Sequence, residues 1–220
     1  MVSYGCVFVA NGDDTLGPDL RRAVFGRALP ELFALPFESK KRAYEEGYSS
    51  QINGMTHEII CIYKPDNSGT TSETMVSFAK NMLKLFEMLQ TLVLEGLGVR
   101  AESVRGHLDQ LDHTFRLAHY YGAQPDTETG MVDTYGRLPA CYHRVRTPSN
   151  RERISVQFGV LAKPAMEVRA LDDLVDVERP LAFNPLKDEE CSTWRYSVEG
   201  FKFDDALKKF CGVENVPAMG

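Results

Sequence analysis

Residues 135–159, YGRLPACYHRVRTPSNRERISVQFG, decide how this chain reads. Within and just beyond them, PACYHRV (139–145) reads as one strand and RISVQFGVLA (153–162) as the next. His143 opens the triplet His143-Arg144-Val145, and Arg153-Ile154-Ser155 begins ten positions after that histidine. Imidazole is a common ligand of transition metals. A guanidinium fork matches a carboxylate with two parallel charge-assisted hydrogen bonds. On residue type alone, Arg153 also reads as a structural ion-pair partner and Ser155 as an ordinary strand serine.

Outward from this stretch, the chain of 220 residues is long enough for one sizeable core, with room for a smaller appendage. Its hydrophobic (43%) and charged (25%) fractions are those of a globular protein rather than a disordered one. A net charge of −6 and a pI near 5.4 argue against general nucleic-acid binding, which needs a basic surface. No apolar run approaches the ~18 to 20 residues of a membrane span. The opening MVSYGCVFVANGDD has neither a basic region nor an extended apolar core, so no secretory signal is expected, and a cytoplasmic location is. The five cysteines (6, 61, 141, 191 and 211) are odd in number and form no C-x-x-C pair, which predicts reduced, mostly buried thiols.

Towards the N-terminus, SYGCVFVANG reads as a short strand and Gly17-Pro18-Asp19 as a helix start, with Pro30 kinking or interrupting that helix. Thr70 and Glu73 have capping-box spacing. Behind them Met75, Phe78, Ala79, Met82, Leu85, Phe86, Leu89, Leu92 and Val93 form one apolar stripe of a long helix, expected to be core, stopped by Gly96 and Gly98. A second helix is predicted over 101–111 and a strand over 113–121 (HTFRLAHYY). GAQPDTETG (122–130) reads as a polar loop and FKFDDALKKFCG (201–212) as a terminal helix.

The stretch 135–159 resembles the C-terminal half of the core in plant 2-oxoglutarate/Fe(II)-dependent dioxygenases. ALPELFALPFESKKRAYEEGY (28–48) resembles their "ELF-x-LP…K" helix pair, residues 113–121 their first barrel strand, and VRALDDLVDVERPLAFNPLKDEE (168–190) their C-terminal tail. The wording is similar to that of the gibberellin-oxidase and glucosinolate side-chain oxygenase types. The resemblance implies a mixed α/β fold, with a helical N-terminal region (1–112), a jelly-roll (double-stranded β-helix) core over 113–186 and a C-terminal helical tail (187–220). It implies His143 as an iron ligand, and Arg153, Ser155 and Tyr120 as contacts of the distal carboxylate of 2-oxoglutarate. It also implies Fe(II) and 2-oxoglutarate as cofactors, ascorbate as a further one, and a small metabolite or hormone as substrate. It sets no oligomeric state.

The family's other two ligands come from an H-x-D motif followed by about four more strands, some 40 to 50 residues. Here the chain runs from Gly130-Met131 directly to Gly136-Arg137-Leu138, so a partial barrel is expected. The literal His107-Leu108-Asp109 sits in a predicted helix, where i and i+2 point about 200° apart and cannot chelate one ion. His113 and His119 share one strand face but lie about 20 Å apart. His57 falls in a predicted loop, and Asp126 and Asp133 are spare carboxylates. Three readings are open: an intact enzyme, a shortened splice or gene-model product of a dioxygenase, and a catalytically dead module that binds a partner or a small acid.

Overall fold

The protein's structure, a computed structural model, describes residues 6–10, 13–43, 48–50, 57–66, 72–121, 127–129, 143–145, 151–195, 197–203 and 205–213. Residues 6–10, expected in a strand, belong to none, and both Phe8 and Cys6 are exposed. Short helices come first: α1 (Asp13–Leu16), α2 (Pro18–Ala23), α3 (Leu29–Ala34) and α4 (Phe37–Ala43). Between α2 and α3, Val24–Ala28 widens into a π-helical turn in which the Leu29 N–H reaches back five residues to the Val24 carbonyl. Pro30 explains the change. It has no N–H to donate and its ring crowds the carbonyl four residues earlier, so a wider turn just before it relieves both problems.

Strands β1 (Tyr48–Ser50) and β2 (His57–Tyr63) come next, succeeded by helix α5 (Glu73–Gly96). Ser72 rather than Thr70 is its N-cap, its hydroxyl accepting from the Met75 N–H at 3.4 Å; Thr70 lies outside the described residues. At the other end Gly98 takes φ +88°, where a side chain would be strained. The Val99 N–H then bonds the Leu94 carbonyl and the Gly98 N–H the Glu95 carbonyl, a Schellman ending with Val99 packed on Leu94. Helix α6 is shorter than expected (Ala101–Leu108), because Leu111 already belongs to β3 (Leu111–Tyr120).

Downstream lie β4 (Thr127–Thr129), β5 (His143–Val145), β6 (Arg153–Ala162), β7 (Glu167–Val168) and β8 (Leu186–Lys187). The last helices are α7 (Asp188–Arg195) and α8 (Ala206–Cys211). The predicted helix over 201–212 is broken. A 3-10 turn at Gly200–Lys202 precedes α8, whose start is capped by the Asp205 carboxylate accepting from the Lys208 N–H. Trp194 on α7 lies against Phe203 and Phe210 and ties the pieces together.

The main sheet has the order β1-β2-β3-β6, all neighbours antiparallel. It corrects the reading of His57, which opens β2 rather than lying in a loop, and β2 pairs with β3 over Thr114–Tyr120. The strand bearing His143 does not pair with β6 among the described residues. It pairs with β4, inside the segment expected to be loop, while β6 pairs over ten residues with β3. Paired in this way, β3 and β6 satisfy each other's backbone groups along ten residue pairs.

Side-chain alternation gives this sheet two faces. Ile60, Ile62, Phe115 and Leu117 point to one face and are buried against Val24, Leu29, Phe33, Met75, Phe78 and Ala79 from the helices, with Ile154, Val156 and Phe158 packed alongside. The α5 stripe is core only over its first turns. Phe78 stacks on Phe115 at 5.2 Å and Phe86 meets Phe158 at 6.0 Å, but Leu92 is exposed and Leu94 joins a second cluster with Val99, Val104 and Leu174.

The helix side of the sheet also buries charge. Lys40 on α4 pairs with Glu58 on β2 at 2.7 Å, with side-chain exposures of only 7% and 4%. The ammonium also donates to the Phe33 carbonyl at 2.7 Å, and the Tyr121 hydroxyl donates to the other Glu58 oxygen at 2.5 Å. His119, cross-strand from Glu58, packs between Phe33 and Tyr121. Such a pair is held only because each ion has further hydrogen-bond partners.

Candidate functional site

The opposite face of the sheet carries different chemistry. Odd-numbered β6 residues and even-numbered β3 residues point there, and the register sets Tyr120 directly across from Arg153 and Ala118 across from Ser155. The predicted carboxylate-binding residues Tyr120, Arg153 and Ser155 are therefore brought together on one face, away from the helices. The Arg153 guanidinium carbon sits 5.5 Å from the centre of the Tyr120 ring, an arrangement that holds the charge over an aromatic surface without neutralising it. Arg153 is exposed and Ser155 half-buried. Among the described residues no carboxylate pairs with Arg153.

Further along this face, Arg116 stands across from Gln157 on β6 and from Cys61 on β2. Burial pushes the Cys61 thiol up, and the Arg116 charge acts in the opposite direction. In the stretch 113–121, which resembles the family's first barrel strand with its LR-x-x-x-Y pattern, Arg116 stands four residues before Tyr120 and so on the same strand face.

His143 lies on β5 with Thr129 as its backbone partner, and nothing of its side chain is described. Asp126 and Asp133 lie outside the described residues. Among the described residues no group of three or more His, Cys, Asp or Glu side chains comes together as metal ligands, and the side chain of His143 is not among those described. Three other histidines, His107, His113 and His119, have described side chains, and that of His57 is not described. His113 is held by Asp66 at 2.7 Å and stacks on Phe158, and His119 meets Glu152 at 3.2 Å. Both point to the helix side of the sheet, behind the face that carries Arg153. His107 is buried on α6, where burial pushes its imidazole below the usual range, and Asp109 ends that helix. No helix among the described residues is long and apolar enough to cross a membrane.

No protein-family model matches the chain. Among solved structures it is similar to JOX2 in complex with 2OG, Fe and JA, with a TM-score of 0.68 at 14% identity over 91% of this chain and 80% of that one. It is also similar to the dioxygenase for auxin oxidation from rice, with a TM-score of 0.67 at 19% identity over 91% of this chain and 88% of that one. The dioxygenase for auxin oxidation 1 from Arabidopsis thaliana, a complex with 2-oxoglutarate, gives a TM-score of 0.63 at 18% identity over 81% of this chain and 91% of that one. At such identities the likeness is one of architecture. The mixed helix-and-sheet chain has the jelly-roll fold of the 2-oxoglutarate-dependent dioxygenases.

Proposed function

We propose that the chain is a cytoplasmic plant-type 2-oxoglutarate/Fe(II) dioxygenase that acts on a small metabolite or hormone, in a form whose metal site is incomplete. The observation that carries the reading is the shared face of Tyr120, Arg153 and Ser155, where the Arg153 guanidinium meets no carboxylate among the described residues. Arg153 and Ser155 hold the distal carboxylate of 2-oxoglutarate, and Tyr120 positions the guanidinium. His143 is the inherited iron ligand, and the chain lacks an H-x-D segment on a strand that could complete it. Fe(II), when bound in such a site, supplies the oxidising chemistry; ascorbate would serve to keep it reduced.

The sequence wording leans to gibberellin and glucosinolate side-chain oxidases, and the structural neighbours include complexes or enzymes of JA and auxin. A small plant metabolite or hormone is common to both, and specificity within that class lies in the loops and helices around the barrel. A second reading, a catalytically dead module that binds a small acid, draws support from the same guanidinium.

One assay separates the two. Incubated with Fe(II), 2-oxoglutarate and ascorbate, the chain as it stands is expected to form no succinate. With a segment bearing H-x-D inserted between Met131 and Gly136, succinate formation is expected to appear. Succinate from the unaltered chain would overturn the incomplete metal site. A correctly folded, iron-loaded inserted chain that still makes none would favour the binding module.

A further inference from the structure

At the far end of the main sheet from Tyr120 and Arg153 lies a cavity of about 250 Å³. It opens between α6, the start of β3, the end of β6 and the stretch 166–172. The β3–β6 register pairs Tyr120 with Arg153 at one end and Leu111 with Ala162, both in the cavity wall, at the other. From Leu111 to Tyr120 the strand runs about 30 Å at ~3.3 Å per residue, so the cavity is apart from the face read above as the 2-oxoglutarate site.

Bonds between elements fix its walls. The Lys163 N–H donates to the Gln110 carbonyl at 2.9 Å and the Lys163 ammonium to the Asp109 carbonyl at 2.6 Å, which ties the end of β6 to the end of α6. The chain then turns back, with the Met166 N–H on the Lys163 carbonyl at 3.0 Å and Ala165 at φ +66°. That left-handed conformation favours glycine, and an alanine held in it is strained. The turn sets Met166 at the rim. On the α6 side, a Cβ placed on Gly106 would meet no other part of the described chain within 4 Å. A glycine inside a helix is destabilising relative to alanine, and this one keeps the cavity wide.

The lining selects an uncharged ligand. Each guanidinium at the cavity already has a carboxylate, Arg100 with Asp173 at 2.7 Å and Arg169 with Asp172 at 3.3 Å. Asp173 also accepts from the Arg100 N–H at 3.2 Å, so the start of α6, where an anion would be attracted, is taken. Glu167, at the mouth, stands across from Lys187 in the β7–β8 pair. The other polar groups are the Ser103 hydroxyl, the Gln110 amide and the His107 imidazole, which burial keeps neutral. Leu111, Ala162, Val168 and Leu171 supply apolar surface. An apolar cavity of about 150 Å³ takes a benzene ring, so this one has room for a ring and a polar substituent.

We propose that this cavity is a second ligand site that binds an uncharged single-ring molecule bearing a hydroxyl or amide, with the ring on the apolar wall and the polar group at Gln110 and Ser103. The site goes beyond the proposed function and does not depend on it.

The test is ligand-observed NMR titration of the full chain with phenol and benzamide, and with benzoate and benzylammonium as charged controls. The neutral probes are expected to bind saturably and the charged ones about tenfold or more weaker, because their charge would be buried without a partner. Gly106→Leu, whose side chain would enter the cavity, should weaken both neutral probes about tenfold or more. It should melt no lower than the wild type, since leucine is the better helix former. Gln110→Ala should weaken benzamide roughly fivefold through the lost hydrogen bond. Arg153→Lys, at the other end of the sheet, should leave both neutral probes within about twofold. Absence of saturable binding by either neutral probe would overturn the proposal, as would equal affinity for benzoate. So would neutral-probe binding that a folded Gly106→Leu leaves unchanged, or that Arg153→Lys weakens as much. Should Gly106→Leu fail to fold, Gln110→Ala decides, and unchanged benzamide affinity there places the ligand elsewhere.

Discussion

Lys40→Met is expected to destabilise the protein by about 3–5 kcal/mol, because it removes one partner of a buried ion pair and leaves the other charged. Of the two donors Lys40 and Tyr121, Glu58 would keep only the second, in a site where its side chain is 4% exposed. The Phe33 carbonyl would lose its donor as well. For a chain of this size the thermal midpoint should fall by roughly 6–20 °C. The double variant Lys40→Met/Glu58→Leu should recover most of that loss, since neither ion of the buried pair remains. Differential scanning calorimetry of the single and double variants decides the matter. If the two melt together well below wild type, the cost is one of packing around α4 and not of buried charge.

Phe115→Ala should cost about 3–5 kcal/mol through lost transfer energy and the cavity left behind. Phe115 is fully buried, stacked on Phe78 at 5.2 Å and edge-on to Phe158 at 5.9 Å, so it joins α5, β3 and β6 at one point. Neighbours on a long helix and a ten-residue strand pair cannot collapse into the space without moving the sheet. Leu92→Ala, at the exposed end of the same α5 stripe, is expected to change stability by no more than about 0.5 kcal/mol. Chemical denaturation of both variants checks the contrast. Equal effects would mean that the helix end is packed and the core is not centred on Phe115.

The sequence was most legible where local patterning and tertiary packing agree. The α5 stripe, its stop at Gly98 and the effect of Pro30 derive from spacing, left-handed backbone and a missing donor, and the structure realises each in the expected region. It was least legible where pairing is between distant segments. Nothing local marks His57–Tyr63 as the partner of β3, because a short apolar run does not say which edge it will meet. Thr127–Thr129 reads as polar loop and becomes strand only through its pairing with His143–Val145. The Lys40–Glu58 pair is 18 residues apart in sequence and invisible without the fold. For the candidate site, Arg153, Ser155 and Tyr120 were named through the family resemblance, and that they share one sheet face follows only from the β3–β6 register.

Recognition of the distal carboxylate of 2-oxoglutarate through Arg153 on this face is tested most directly by titrating 2-oxoglutarate into the metal-free chain and into Arg153→Lys. The substitution keeps the charge and removes the planar fork, so it separates bidentate recognition from general attraction. Weak saturable binding is predicted, with a Kd on the order of millimolar, weakened about tenfold or more by the lysine. Equal affinity in the two proteins, or no saturable binding to the wild-type chain, would contradict it.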